Sequence, residues 1–274
     1  MVQLCGKINQ EDLPQFLAVA GEHFVAEVKE DGDRIRLRVV NGQVYLTNRR
    51  GKDVTIVYPE MQTLDSPEMF IDGEMCVIDD KGVSQFNTGI SHRSHCKGWQ
   101  SVRNAMEGYP VTFVVFDILE LNGENLRNKP YSERRAILEQ IGLGLEKHPN
   151  IKLVEQFTDI KDAWDKMQRE DREGLILKHK TSIYKEGFRS SNWKKVKNIK
   201  EVDLKFTKYE QNPQGITVEN SEGIRCLVGG RHQYPVKNIL AKQGEVVITI
   251  RHLGKTKAGK YRQPVFHKVV KVEA

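Results

Sequence analysis

Residues 26–47, AEVKEDGDRIRLRVVNGQVYLT, alternate apolar and polar side chains with the period of two that is typical of β-strands. Gly32 interrupts the alternation, and Asn41-Gly42 is a strong signal for a tight hairpin turn. The stretch therefore predicts one strand, a glycine-containing turn with Lys29 at its start, and then a two-stranded hairpin. Acidic residues surround Lys29, so its amine is either an ordinary solvated charge or a group with a chemical task.

The composition of the whole chain limits the kinds of protein it can be. It has 274 residues, a formal net charge of +6 and a pI near 9.0, and this basic balance suits a polyanionic partner. No apolar run is long enough to cross a bilayer, and the N-terminus lacks the basic head and apolar stretch of a secretory signal. We expect a cytoplasmic protein without membrane association, located at the nucleoid in a cell.

The first 200 residues mix strands and helices without regular βαβ alternation, which favours an α+β architecture. We expect strands at 69–79, 111–119 and 173–180. We expect helices at 131–142, where Gly142 would end the helix, and at 159–170.

The pattern changes near residues 199–201. Beyond them the sequence shows no helix of length, only short strands separated by turns, at 202–209, 215–219, 224–228, 245–251 and 265–271. Five short strands of this kind suit a small all-β barrel. We therefore predict two domains, residues 1–200 and residues 201–274.

Five short stretches, in this order along the chain, resemble the motifs of one enzyme superfamily. They are EVKEDGDR (27–34), FIDGEM (70–75), FVVFDIL (113–119), EGLILK (173–178) and NWKKVK (192–197). The first holds Lys-x-Asp-Gly-x-Arg, the nucleophile motif of the covalent nucleotidyltransferases, which are the DNA ligases, RNA ligases and mRNA capping enzymes. NRRGKDVT (48–55) resembles the ligase segment that supplies a further arginine, here Arg49.

Within that superfamily the chain resembles the ATP-dependent DNA ligases, especially the ligase modules of prokaryotic end-joining systems. Glu173 stands where capping enzymes usually have aspartate, and RSSNWKKVK (189–197) is similar to the ligase arrangement around Trp-x-Lys-x-Lys. The resemblance implies an ATP-grasp-like nucleotidyltransferase (adenylation) domain followed by an OB-fold barrel.

The resemblance also implies a three-step reaction. Lys29 attacks the α-phosphate of ATP, which leaves AMP on the lysine and releases pyrophosphate. The AMP then passes to a DNA 5′-phosphate, and a 3′-hydroxyl displaces it to seal the nick. Such ligases serve DNA repair, recombination or replication.

The resemblance assigns roles to the remaining motif residues. Phe116 would stack on adenine, Glu27 would help to read the adenine amino group, and Glu74 would bind the ribose. The cations expected around the nucleotide are Arg34, Arg49, Arg189, Lys195 and Lys197. The carboxylates expected to bind Mg²⁺ or Mn²⁺ are Glu173 and Asp31.

A nucleophilic lysine must lose its proton, and a free lysine with a pKa of about 10.4 is neutral less than about once in a thousand at pH 7. A like charge about 6 Å away costs the protonated form about 2.8 kcal/mol at an effective dielectric near 20, or about two pKa units. Lys195 and Lys197 are the cations that we expect to supply this repulsion.

One segment departs from the family pattern. Ligases of this kind usually carry a motif resembling Arg-x-Asp-Lys in the OB domain, which orients the leaving pyrophosphate. YRQPVFHKVVKVEA (261–274) has no Asp-Lys pair, and Lys268 or Lys271 could substitute for it.

The expected partner is nicked duplex DNA, with end-joining or repair proteins as further candidates, and the protein is expected to act as a monomer. Three alternatives stay open. The chain could be an RNA ligase of the same superfamily, a GTP-using capping enzyme, or a non-catalytic nucleic-acid-binding OB protein with a decayed transferase domain.

Overall fold

The structure is a computed structural model that describes residues 1–62, 64–255 and 259–270. Lys271, one of the two candidate substitutes for the missing motif, lies outside these residues. The chain divides into two compact units, Met1–Lys197 and Asn198–Ala274. No helix in the described part of the chain is long and apolar enough to span a membrane.

In residues 1–62 and 64–197, the described part of the N-terminal unit, there are eleven strands and five α-helices. The strands are β1 Leu4–Ile8, β2 Phe24–Val28, β3 Asp33–Val40, β4 Gln43–Asn48, β5 Met69–Cys76, β6 Thr112–Leu121, β7 Glu124–Asn125, β8 Ile151–Leu153, β9 Gln156–Phe157, β10 Gly174–His179 and β11 Arg189–Lys197. The helices are α1 Leu13–Ala20, α2 Ser91–Ser94, α3 Trp99–Gly108, α4 Tyr131–Leu145 and α5 Ile160–Arg169.

Two sheets form this unit. The first has the order β1-β11-β10-β2-β9, and the second has the order β4-β3-β5-β6-β7 with β8 beside β6. The predicted hairpin is confirmed as β3 and β4, and Asn41 and Gly42 both have positive φ, as a two-residue turn of this kind requires. Helices α1 and α5 pack on one core and α4 on the other, so each sheet has its own apolar layer.

The turn that contains Lys29 joins the two sheets, because β2 belongs to the first sheet and β3 to the second. Strand β10 runs antiparallel to β2 with Leu175 opposite Val28, and the Lys29 N–H donates to the Gly174 carbonyl at 2.9 Å. Glu173 therefore stands beside Lys29 although 144 residues separate them in sequence.

Two glycines make this close approach possible. A Cβ at Gly32 would lie 2.3 Å from the Met75 carbonyl oxygen, and one at Gly174 would lie 2.0 Å from the Val196 carbonyl oxygen. Gly174 also has a φ of 141°, which side chains rarely adopt. The glycines of the first and fourth motifs are thus required by backbone packing.

Helix α4 differs from its prediction, because Gly142 lies inside it and does not end it. The reason is lateral packing: a Cβ at Gly142 would lie 2.5 Å from Leu153 Cδ1. Helix α5 agrees closely with the predicted segment, and Asp159 caps it by accepting from the Asp162 N–H at 2.9 Å.

The described residues of the C-terminal unit form one α-helix and six strands. They are β12 Lys200–Phe206, β13 Lys208–Asn212, β14 Gly215–Glu219, β15 Arg225–Gly229, α6 Gln233–Gln243, β16 Val246–His252 and β17 Val265–Val269. The prediction of no helix was wrong. Val236 and Leu240, four residues apart, bury one face of α6, and Gly244 ends it with a positive φ.

The strands of this unit form two three-stranded sheets, β12-β16-β17 and β13-β14-β15, around one apolar core. The predicted closed OB-fold barrel is not confirmed, since no ladder joins the two sheets within the described residues. The strands and helices of the N-terminal unit, with parallel and antiparallel pairs in each of its two sheets, agree with the predicted α+β class.

Candidate active site

A cavity of about 210 Å³ in the N-terminal unit has walls from both sheets. It collects eight of the side chains predicted from the motifs: Glu27, Lys29, Arg34, Arg49, Glu74, Phe116, Arg189 and Lys195. Glu173 and Lys197 lie behind Lys29, and Asp31 does not line the cavity. Residues that are far apart in sequence thus meet at one place.

Lys29 follows directly after β2, and its amine contacts a carboxylate. Lys29 Nζ lies 2.7 Å from Glu173 Oε2, while Lys197 Nζ lies 3.0 Å from Glu173 Oε1. Lys29 keeps 20% of its side chain exposed, whereas Glu173 keeps 4%. One buried carboxylate is therefore shared by two ammonium groups.

This arrangement overturns the predicted lowering of the Lys29 pKa. Burial lowers that pKa, but the carboxylates of Glu173, Glu74 and Asp31 outweigh it, and the pKa of Lys29 lies above its ordinary value. Lys197 contacts the other oxygen of the same Glu173 carboxylate. It is the pKa of Lys195 that is lowered, by burial and by its cationic neighbours.

Arg34 and Glu74 face each other across β3 and β5. Arg34 Nε and Nη2 donate to Asp72 Oδ1 and Oδ2 at 3.0 and 2.6 Å, and its guanidinium lies 5.0 Å from the centre of the Phe116 ring. Burial raises the pKa of Glu74 to about 8, against the opposing pull of Lys29 and Arg34. Near neutral pH Glu74 therefore carries its proton for much of the time.

Glu27 lies on the back wall of the cavity and is almost fully buried. Its Oε2 lies 2.7 Å from Lys178 Nζ, and its Oε1 accepts from the Tyr131 hydroxyl. Phe116 lies half-buried beside this pair, and Lys178 Nζ is 4.8 Å from the centre of its ring. The wall thus combines an aromatic face with a fixed ion pair.

The cations at the mouth are more exposed. Arg49 lies in the turn that follows β4, and Arg189 begins β11 and donates to the Cys5 carbonyl at 2.6 Å. Lys195 lies further along β11, opposite Lys7 of β1. These side chains surround the opening with positive charge.

Sequence reasoning missed three residues of the site, namely Asp72, Lys178 and Trp193. All three lie inside the quoted motifs. Each lies on the same strand face as a residue that has a predicted role or that lines the first cavity. Asp72 is two residues before Glu74, and Lys178 is two residues after Ile176, which lines the cavity. The period of two within each motif was the signal that could have found them.

The two predicted metal ligands, Glu173 and Asp31, lie in different surroundings. Glu173 offers carboxylate oxygens beside Lys29, which fits a Mg²⁺ that takes its other ligands from phosphates and water. Asp31 is buried away from the cavity wall, and its N–H donates to Ser84 Oγ at 2.8 Å. Across the described ranges, no three His, Cys, Asp or Glu side chains gather as a ready-made metal site.

A second cavity, of about 900 Å³, adjoins the first and shares Arg34, Arg49 and Glu74 with it. One part of its lining is cationic, with Arg50 and Lys52 beside Arg49. The polar remainder includes Asp33, Tyr58, Ser94 and His95. The two cavities therefore meet at three ionisable residues.

Comparison with known proteins gives a consistent result. The family model described as "ATP dependent DNA ligase domain" matches residues 4–197. The chain is 27% identical over 261 residues to the SPβ prophage-derived DNA ligase-like protein LigB of Bacillus subtilis, covering 89% of this chain and 92% of that protein. It is 31% identical over 191 residues to a DNA ligase of Pyrobaculum islandicum, covering 67% of this chain and 32% of the ligase.

The multifunctional end-joining protein LigD of Mycolicibacterium smegmatis is 29% identical over 232 residues, covering 80% of this chain and 28% of LigD. The chain thus spans about a third of the length of several of these relatives.

Solved structures show the same fold. The ligase domain of M. tuberculosis LigD is similar with a TM-score of 0.59 and 21% identity, covering 98% of this chain and 95% of that one. A Lig E DNA ligase is similar with a TM-score of 0.67 and 20% identity, covering 98% of both chains.

Proposed function

The chain belongs to the ATP-dependent DNA ligase family, and from this premise we propose that it seals 5′-phosphate/3′-hydroxyl nicks through a lysyl-adenylate on Lys29. The observation that supports this most is the meeting of the Lys29 amine, the Phe116 ring and the motif arginines in the first cavity. Its aromatic wall suits a purine, and its cationic mouth suits a triphosphate.

In the first step the Lys29 nitrogen forms a bond to the α-phosphorus of ATP while the bond to the bridging oxygen breaks and pyrophosphate leaves. The amine must first lose its proton, which would pass to water, while the Glu173 carboxylate 2.7 Å away holds the lysine in place. Lys195 and Arg189 are placed to neutralise charge on the phosphates. A Mg²⁺ held by Glu173 and the phosphates would add to that neutralisation.

The second cavity is the proposed place for the end of the DNA strand. Arg49, Arg50 and Lys52 carry the charge that a phosphate-bearing strand requires, and the cavity borders the wall that holds Lys29. The AMP phosphorus would therefore pass from the lysine nitrogen to the strand 5′-phosphate without a long displacement.

We propose that the C-terminal unit binds duplex DNA and corresponds to the family's OB-fold domain. Residues 198–274 carry 14 Lys and Arg against 7 Asp and Glu, whereas residues 1–197 carry 29 against 30. The net positive charge of the chain thus resides in this unit, which favours binding to a polyanion.

Because its substrate is DNA, we place the protein in the cytoplasm at the nucleoid, acting as a monomer with end-joining or repair proteins as candidate partners.

A nick-sealing assay tests the proposal. Labelled nicked duplex DNA, ATP and Mg²⁺ should yield sealed product with the unchanged protein and with Lys161→Ala, an exposed lysine on α5. Lys29→Ala should yield none from ATP. Sealing by Lys29→Ala at the unchanged rate would overturn the proposal, and a nicked RNA duplex in parallel distinguishes the RNA ligase alternative.

A further inference from the structure

The back wall of the nucleotide cavity contains a buried ion pair. Glu27 and Lys178 keep 2% and 1% of their side chains exposed, and their charged atoms lie 2.7 Å apart. A buried charge is retained only when it is paired and hydrogen-bonded, so the surroundings of this pair show how it is held.

Lys178 is fixed from three sides. Its Nζ donates to the Phe116 carbonyl at 2.8 Å and lies 4.2 Å from the centre of the Trp193 ring and 4.7 Å from that of Tyr131. An ammonium held over aromatic faces and bonded to a carbonyl has little freedom to move.

Glu27 is fixed by a directed chain of hydrogen bonds. The Gln156 amide donates to the Tyr131 hydroxyl oxygen at 2.7 Å, and the Tyr131 hydroxyl donates to Glu27 Oε1. Because Gln156 occupies a lone pair of the phenol oxygen, the single phenol proton is directed to the carboxylate. Tyr131 is the first residue of α4, is buried, and does not line the cavity.

We propose that Tyr131, oriented by Gln156, is a positioning residue that holds the Glu27 carboxylate beside Lys178 and so sets the preference of the cavity for adenine over guanine. A carboxylate offers only acceptors, and adenine presents an amino group where guanine presents a carbonyl oxygen. The carboxylate discriminates between the two bases only if it cannot rotate away from them. Lys178 holds Oε2 at 2.7 Å, Arg135 lies 3.8 Å from Oε1, and the Tyr131 hydroxyl supplies the hydrogen bond that restrains Oε1.

This inference rests on the proposed function, and its test is a binding measurement that needs no catalysis. The probes are the α,β-methylene analogues of ATP and GTP, whose bridging carbon prevents transfer of the nucleotide to Lys29. Calorimetry with Tyr131→Phe, which removes only the hydroxyl, should show about tenfold weaker binding of the ATP analogue and little change for the GTP analogue. Tyr45→Phe, an exposed hydroxyl on β4, is the matched control and should change neither.

Two further variants separate positioning from a general loss of stability. Gln156→Leu should lower the ratio of the affinities for the ATP and GTP analogues, as Tyr131→Phe does, but by less. In a Glu27→Gln background, Tyr131→Phe should cause no further loss of that ratio, because the two changes act on one contact. An unchanged ratio in Tyr131→Phe, or losses that add fully in the double variant, would overturn the inference.

The two proposals can fail separately. A protein that binds the ATP analogue with the expected preference but never seals a nick would contradict the proposed function alone. A protein that seals nicks while Tyr131→Phe keeps the full preference for the ATP analogue would contradict this inference alone.

Discussion

At the scale of single residues, Glu173 is the centre of the charge arrangement, because its two oxygens contact Lys29 and Lys197. The motifs predicted that these groups would meet, since each stretch carries its residue type at a set spacing. They could not predict which lysines would contact the Glu173 carboxylate, because that depends on the register of the strands. For the same reason the sequence did not predict the ion pairs between Arg34 and Asp72 and between Glu27 and Lys178.

The pKa shifts lead to a test by chemical labelling. In the nucleotide-free protein at about pH 8, an amine-reactive ester should modify Lys195 faster than Lys29. The raised pKa of Lys29 leaves less free amine, whereas burial and the charges of Lys197 and Lys29 lower the pKa of Lys195. Peptide mass spectrometry after short exposures measures the two rates, and faster labelling of Lys29 would contradict the assigned pairing with Glu173.

The Arg34–Asp72 pair should matter for stability as well as for the site. Asp72 is fully buried, so Asp72→Asn leaves the Arg34 charge without its carboxylate and should lower the free energy of unfolding by about 3 kcal/mol. Glu210→Gln is the control, because it breaks the exposed pair with Arg225 and should cost less than about 1 kcal/mol. Equal midpoints in urea for the two variants would show that Asp72 is not a buried anchor.

At the scale of elements, local patterns were sufficient for some segments and insufficient for others. The β3–β4 hairpin follows from its period of two and from Asn41-Gly42, both of which are properties of adjacent residues. Helix α6 was missed because Pro235 lies in its first turn and its buried stripe is short. Barrel closure depends on contacts between distant strands, which no local pattern encodes.

Helix α4 offers a matched pair of glycines. Gly142→Ala should lower stability, because the new Cβ would lie 2.5 Å from Leu153 Cδ1 and force that side chain to shift. Gly144→Ala should raise stability by about 0.5–1 kcal/mol, because nothing lies within 4 Å and alanine favours the helix. Thermal unfolding compares them, and a Gly142→Ala variant as stable as Gly144→Ala would refute the packing role of Gly142.

At the scale of the whole molecule, charge separates the two units more clearly than any motif does. The N-terminal unit is close to neutral and contains the cavity, whereas the C-terminal unit holds the excess of lysine and arginine. This difference in net charge follows from the composition once the boundary between the units is known. It favours catalysis in the N-terminal unit and DNA binding in the C-terminal unit.

Binding to nicked DNA should therefore weaken steeply with salt, and the slope should depend on the C-terminal unit. Neutralising three of its exposed lysines to glutamine should flatten the slope of log affinity against log salt by up to about three. They are Lys205, Lys208 and Lys242. The control neutralises three exposed lysines of the N-terminal unit, Lys81, Lys147 and Lys161, and equal slopes for both sets would rule out the basic unit as the grip.

The central claim is that one amine takes AMP from ATP, and a mass spectrum of the protein after incubation with ATP and Mg²⁺ tests it directly. The account predicts a single added AMP, located on the peptide that contains Lys29 and absent from Lys29→Ala. An AMP found on another lysine, or no adduct in a protein that still seals nicks, would contradict it.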